Sequence, residues 1–324
     1  MLNIKKVNLA YKRYQQNFET GTKFERIKAR YLNNKKEVME LSELNDKERD
    51  HILLINLGSV ITYYLSIWKN DVLISQNNRV EALKQMQIAV FQQCMAQDLY
   101  KVRYPQMMTE YRFREVVMTL IHFTMFGWNR EENILFEFIV EQFGGSILEV
   151  EESNKHTWFL LELYLKYRNK ELWESNHNLS KTVKEKYLKA KVKNDLIPDD
   201  LEVYNEVLTN WETKELSIIK SLVNEMVEYH SILASGLGES LEFGDFRYAF
   251  YPYEILFLLH VRKKRGLPNP EHFDDFLMNT PEAKMNIQDP EPYPELDPLL
   301  KMVDEFYRKN YPEYIPNQHG ELFQ

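Results

Sequence analysis

Apolar side chains recur every three to four residues over long stretches of this chain, and that period limits it to helices. In NDKERDHILLINLGSVITYYLSIW, Ile52, Ile55, Leu57, Val60, Ile61, Tyr64, Leu65 and Trp68 keep close to a 3.6-residue repeat. RVEALKQMQIAVFQQCMAQDLYKV continues it through Val80, Leu83, Met86, Ile88, Val90, Phe91, Met95 and Leu99. FREVVMTLIHFTMFGW is apolar on most sides, so it reads as a buried helix. NREENILFEFIVEQF, HTWFLLELYLKYRNKELW and WETKELSIIKSLVNEMVEYHSILASGLG add three more. Ten Gly in 324 residues are few for the tight turns of sheet-rich folds. The expectation is an all-α, multi-helix bundle of stacked helical hairpins with no substantial sheet. No fixed repeat length marks a consensus solenoid.

Asn45 with Glu48, Asn129 with Glu132 and Asp199 with Glu202 stand at capping-box spacing. The stretch FRYAFYPYEILFLLHVRKKRGLP, Phe246 to Pro268, reads as a core helix with marked ends. Pro252 suits its first turn, and Leu256, Leu258 and Leu259 are expected in the core. RKKR favours the negative end of the helix dipole, Gly266 the left-handed residue beyond it, and Pro268 stops continuation. That punctuation accounts for the cations without a nuclear-localisation or phosphate-binding role. NPEHFDDFL and TPEAKM read as two short helical starts, DPEPYPELDP as an extended, exposed segment, and LLKMVDEFYRKNY as a final helix.

Three regions follow: a helical region over 1–174, a Lys-rich linker or exposed helix over 175–198, and an acidic helical region over 199–324. Lys181, Lys184, Lys186, Lys189, Lys191 and Lys193 populate the second. Residues 1–198 hold 30 Lys/Arg and 25 Asp/Glu, a balance of +5, whereas 199–324 hold 11 and 24, a balance of −13. An acidic half repels phosphate backbones and speeds encounter with basic partners, so nucleic acid is disfavoured.

Cys94 is the single cysteine, which excludes an intrachain disulfide and a Cys-based zinc site. MLNIKKVNLAYKRYQQ lacks the apolar core of a secretory signal, and runs such as ILFLL fall short of the ~20 residues of a membrane span. A cytoplasmic protein without a membrane partner is expected. The eight histidines (51, 122, 156, 177, 230, 260, 272 and 319) form no HExxH pair, and GLGES is neither GxSxG nor GxGxxG. No catalytic signature, cofactor or metal is expected. The enzymatic alternative is a metal-dependent hydrolase that gathers His122, Glu115, His230 and Glu254 in a bundle. A second candidate is a polar cluster of Asp245, Arg247, Tyr251, Glu254 and His230 under a groove; the structural alternative is that Glu254 sits in the first turn of its helix, favoured by the dipole and paired with Arg247. A third reading is a helical scaffold or regulator that binds a peptide or protein.

The order YHSILA, ESLEFGDFRYAFY, YPYEILFLLHV, RKKRGLP resembles the all-helical immunity proteins of bacterial polymorphic toxin systems, the PoNe-immunity type in particular. The resemblance covers about residues 215–280. Phe250 and Tyr251 stand near a position where that pattern has Trp, and RKKRG replaces an Asp-Asp pair. The resemblance implies neutralisation of a cognate toxin by direct binding, without catalysis. With an acidic half to present, a basic, nuclease-like toxin domain is the expected partner. The expected contact residues are Glu239, Glu242 and Asp245 before the core helix, and Asp289, Glu291, Glu295 and Asp297 in the Pro-rich segment. Tyr251 or Tyr293 would serve as the aromatic anchor.

Overall fold

The computed structural model describes residues 3–103, 113–145, 147–173 and 178–324. It is all-helical: among the described residues there are twelve α-helices and three short 3₁₀ helices, 64% of these residues are helical, and no strand occurs. In chain order they are α1 (Ile4–Gln16), α2 (Thr22–Leu44), α3 (His51–Leu73), α4 (Glu81–Arg103), α5 (Phe113–Phe126) and α6 (Asn129–Gln142), then α7 (Lys155–Arg168), α8 (Leu179–Ala190), α9 (Val203–Asn210), α10 (Leu216–Ala234), α11 (Tyr253–Lys264) and α12 (Pro298–Asn310).

The chain forms two compact units. One comprises 1–17 and 150–285, the other 18–149 and 286–324. Each is therefore assembled from segments far apart in sequence. These boundaries run across the sequence divisions at 174 and 198.

In the unit of 18–149 and 286–324, α4 is the central helix. It packs on α3, α5 and α12, and α2 covers α3 and α12. All eight apolar positions expected on α4 are buried, as is Cys94. On α3 the core side is Leu53, Leu54, Leu57, Val60, Leu65, Trp68 and Val72, whereas Ile55 points out and is 58% exposed. The first part of the α3 pattern was thus read about one position out of register. α3 is also long and apolar enough to cross a membrane, a length that the short apolar runs did not suggest. Half of its most apolar window is buried within the fold, beside Asn56, Ser59, Ser66 and Lys69. All of α5 except the half-buried Glu115 is buried, as its apolar character on most sides required.

In the other unit, α7 packs on α8, α9 and α11, while α10 packs on α1, α9 and α11. The Lys-rich segment contains α8, capped by Asn178, whose side chain accepts from Lys181 N at 3.0 Å. Leu179, Val183 and Tyr187 form its buried stripe, and most of its lysines face out. Residues 175–177 of that segment, His177 included, lie outside the described residues.

Several ends differ from the capping-box reading. Asn45 closes α2 in the left-handed region (φ 49°), a conformation Asn tolerates, and Asp46 instead accepts from Glu48 N and Arg49 N at 3.1 and 3.2 Å. Asn129 and Asp199 do not cap. α6 begins at Asn129 itself, and Asp200 accepts from Glu202 N at 2.5 Å just before α9. NPEHFDDFL does not start a helix; only 3₁₀ turns at Leu277–Asn279 and Glu282–Lys284 follow.

The exit of α11 is as expected, with one addition. Gly266 has φ +69°, its N–H bonds Lys263 O, and Leu267 N–H reaches back to Arg262 O. Arg262, however, does more than complement the dipole. It is fully buried and donates to the carbonyls of Trp211, Thr213 and Pro268 and to Asn269 Oδ1. On α11 itself Leu258 is buried, but Leu256 and Leu259 are only half-buried, because the helix packs on two sides rather than all round.

Candidate partner-binding groove

The segment DPEPYPELDP is extended, but it is not free on the surface. Glu291, Pro294 and Asp297 turn inward, and exposed residues lie between them. A period of three is that of polyproline II, which four prolines in ten residues favour. Inward polar groups need partners, and α4 supplies them. Lys84 Nζ lies 3.3 Å from Glu291 Oε2 and donates to Pro292 O at 2.9 Å. Gln85 donates to Glu295 O at 2.6 Å and accepts from Asp297 N at 3.2 Å. Glu291 N donates to Phe126 O at 2.8 Å, and the Trp128 indole donates to Glu291 O at 2.9 Å. Asp297 accepts from Tyr31 at 2.6 Å and from Tyr64, and caps α12 through Leu299 N at 2.7 Å. The pinned segment leaves a groove of about 650 Å³ against α12 and residues 321–324.

The groove has an apolar floor and a mainly acidic rim that also carries the exposed Lys301. Pro294, Leu322 and Phe323 are buried in its lining. Glu295, Glu305 and Glu321 are exposed around it. Glu305 meets Lys301 only at 3.9 Å with both side chains largely in water, a contact of little energy. Asp304 is held by Arg308 at 2.5 Å and by Tyr314 at 3.1 Å. The carboxylates of Glu295 and Glu321 have no partner among the described residues.

The expected contact residues divide accordingly. Glu295 lines the groove and Asp289 is exposed. Tyr293 is half-buried and donates to Glu131 at 2.9 Å, so its hydroxyl is already used. Glu291 and Asp297 are buried and bonded internally, which removes both from any surface role. Tyr251 is fully buried and cannot anchor a partner. In the loop before α11, Glu239 is exposed, and Asp245 is half-buried and forked by Arg247 at 2.6–3.2 Å.

Glu242 turns inward, its side chain 9% exposed. It accepts from His156 N at 2.5 Å, His156 Nδ1 at 2.6 Å and Tyr229 at 3.0 Å. Burial raises the Glu242 carboxyl, but the hydrogen bonds and charge of His156, with the bond from Tyr229, outweigh it and hold the group below the usual range.

Glu254 pairs with His230, not with Arg247. His230 Nδ1 is 2.7 Å from Glu254 Oε1, and its Nε2 donates to Ala249 O at 2.8 Å. Because the carbonyl only accepts, one proton must lie between Nδ1 and Oε1. Phe243 fits between the two imidazoles, 3.6 Å from the His230 ring centre and 4.5 Å from that of His156. The cluster of Asp245, Arg247, Tyr251, Glu254 and His230 is therefore three separate arrangements. Gly244 lets this loop close: a Cβ there would lie 2.2 Å from Glu239 O.

The four residues of the hydrolase reading do not form one site. His122 and Glu115 lie on α5 and His230 and Glu254 in the other unit, and no group of three potential metal ligands occurs among the described residues. Burial lowers His122 to about 3, as expected of a neutral core histidine. Sequence reasoning missed Glu305 and Glu321, which lie 7 and 23 residues beyond the end of the Pro-rich segment at Pro298, and the α4 residues Lys84 and Gln85. α4 holds five Gln and two Lys, so nothing local marked Lys84 and Gln85 out.

No protein-family model matches the chain, and neither curated proteins nor solved structures yield a match.

Proposed function

We propose that this chain is a non-catalytic binding protein that neutralises a cognate bacterial toxin by gripping a basic segment of it. The observation that carries this reading is the groove beside the Pro-rich segment: an apolar floor of Leu322 and Phe323 below the unpaired carboxylates of Glu295 and Glu321. A Lys or Arg side chain lays its methylenes on such a floor and its charge at such a rim. The rim charges speed association, and the buried floor supplies residence time. The resemblance to immunity proteins over residues 215–280 supports the toxin as partner. The Pro-rich segment is pinned before binding, so little ordering cost falls on association.

The test is co-expression with the product of an adjacent gene that is itself toxic when expressed alone. Wild-type chain should restore growth, and a triple charge reversal, Glu295→Lys, Glu305→Lys and Glu321→Lys, should weaken protection and slow association most at low salt. Full protection by the triple variant would discard the groove. Failure of the wild type to protect would discard the toxin reading.

A further inference from the structure

The charges of α2 run against its own dipole. Residues 22–36 carry Lys23, Arg26, Lys28, Arg30, Lys35 and Lys36 against Glu25 alone, whereas 37–44 carry only Glu37, Glu40 and Glu43. Cations at a helix N-terminus and carboxylates at its C-terminus are each unfavourable within the last turns. α3, which α2 covers, contributes only Lys69 and Asp71 as charges over its length. α12, which α2 also covers, brings Lys301, Asp304, Glu305, Arg308 and Lys309, but no ion pair to the exposed charges of α2 forms among the described residues. Arg26, Lys28, Arg30, Lys36, Glu40 and Glu43 are exposed and form no ion pair among the described residues. Along the same outer face lie Leu32, 48% exposed, and Met39, 41% exposed.

A helix that is basic at one end and acidic at the other is complementary to itself when reversed. We propose that α2 is a self-association surface, on which a second copy of this chain docks its own α2 antiparallel about a two-fold axis. Two-fold contacts repeat the same patch on both partners, so one complementary pair counts twice. With the axis passing between Lys35 and Lys36, Leu32 meets Met39 of the second copy and Lys28 meets its Glu43. The two dipoles then oppose one another, and each basic end lies beside an acidic end. A parallel pairing would instead set six cations against six.

The geometry also bounds the strength. A helix of 23 residues is about 34 Å long, and one such helix per copy gives an interface at the low end of specific contacts, below ~1,200 Å². Lys36 of each copy falls next to Lys35 of the other, which opposes pairing. The dimer is therefore weak, concentration-dependent and salt-sensitive.

Sedimentation equilibrium of the full chain tests this at low and high ionic strength. The wild type should self-associate at concentrations up to ~100 μM in low salt and dissociate as salt is raised. Lys28→Glu and Glu43→Lys should each weaken association by about tenfold or more, because each places like charges together twice. The double variant Lys28→Glu/Glu43→Lys should restore it, and Lys36→Ala should tighten it. Lys28 and Glu43 are roughly 22 Å apart on one helix, so rescue has no explanation within a single chain. A wild type that stays monomeric throughout overturns the proposal. So does a double variant no better than the singles, or a monomer that binds anionic vesicles through Lys28 instead.

Discussion

Replacing Lys84 with Met should release the Pro-rich segment. Met keeps most of the buried stem but removes the ammonium, so Glu291 loses its cation and Pro292 O its donor. At 3.3 Å and an effective dielectric near 20, the gross attraction between Lys84 and Glu291 is roughly 5 kcal/mol. Both side chains are about as buried as each other, 3% and 5% exposed, so solvent screens little of this. Breaking one side of such a pair typically costs about 3–5 kcal/mol, because the remaining carboxylate stays buried without its counter-charge. Lys84 also meets Glu81 at 2.9 Å, but Glu81 is 55% exposed and loses little when released to water. For a unit of this size, ~3 kcal/mol corresponds to a fall in Tm of about 6–12 °C. Urea denaturation at 25 °C should locate the loss, and a cycle with Glu291→Gln should assign it. The double variant should lose clearly less than the sum of the singles, with a coupling of about 1–3 kcal/mol. Amide exchange should quicken over 288–297 before the rest of the fold, since those residues hang on α4. A Lys84→Met variant within about 0.5 kcal/mol of wild type, or an additive cycle, would refute the reasoning.

Leu258→Ala should cost about 2–5 kcal/mol in chemical denaturation, and Leu256→Ala and Leu259→Ala clearly less, because both are half-buried; equal losses at all three would contradict that packing. Arg262→Lys should lower Tm by several degrees, since one ammonium cannot reach Trp211 O, Thr213 O, Pro268 O and Asn269 together; an unchanged melt would mean that water replaces those bonds. Glu242 ionises at lower pH in the folded chain than when unfolded. The stability it contributes is thus complete above the unfolded value of 4.5 and is lost as pH falls through the lower folded value. Melts between about pH 6 and 3, the window around that step, should therefore show a steeper acid loss for wild type than for Glu242→Gln. Identical slopes would remove Glu242 from the acid response.

Sequence alone determined that the chain is helical, because a 3.6-residue apolar period has no other use over such lengths. It also placed α4, α5 and the exit of α11 well, since burial on most sides and a Gly in the left-handed region leave local marks. Helix starts were less legible. Asn45 and Asn129 fit a capping pattern by spacing, yet the same residue type closes a helix as readily as it opens one. The polar residues were least legible of all. Glu242, Glu254, Glu291 and Asp297 are chemically identical to surface carboxylates, and only the approach of His156, His230, Lys84 and Tyr31 from distant segments decides that they are interior. Their removal from the surface also decides what remains there. Glu295 and Glu321 are left to rim a groove because their neighbours in sequence were drawn inward by partners that the sequence places up to some hundreds of residues away. Tertiary structure made that selection, since desolvation forces every buried charge to find its counterpart while an exposed one needs none.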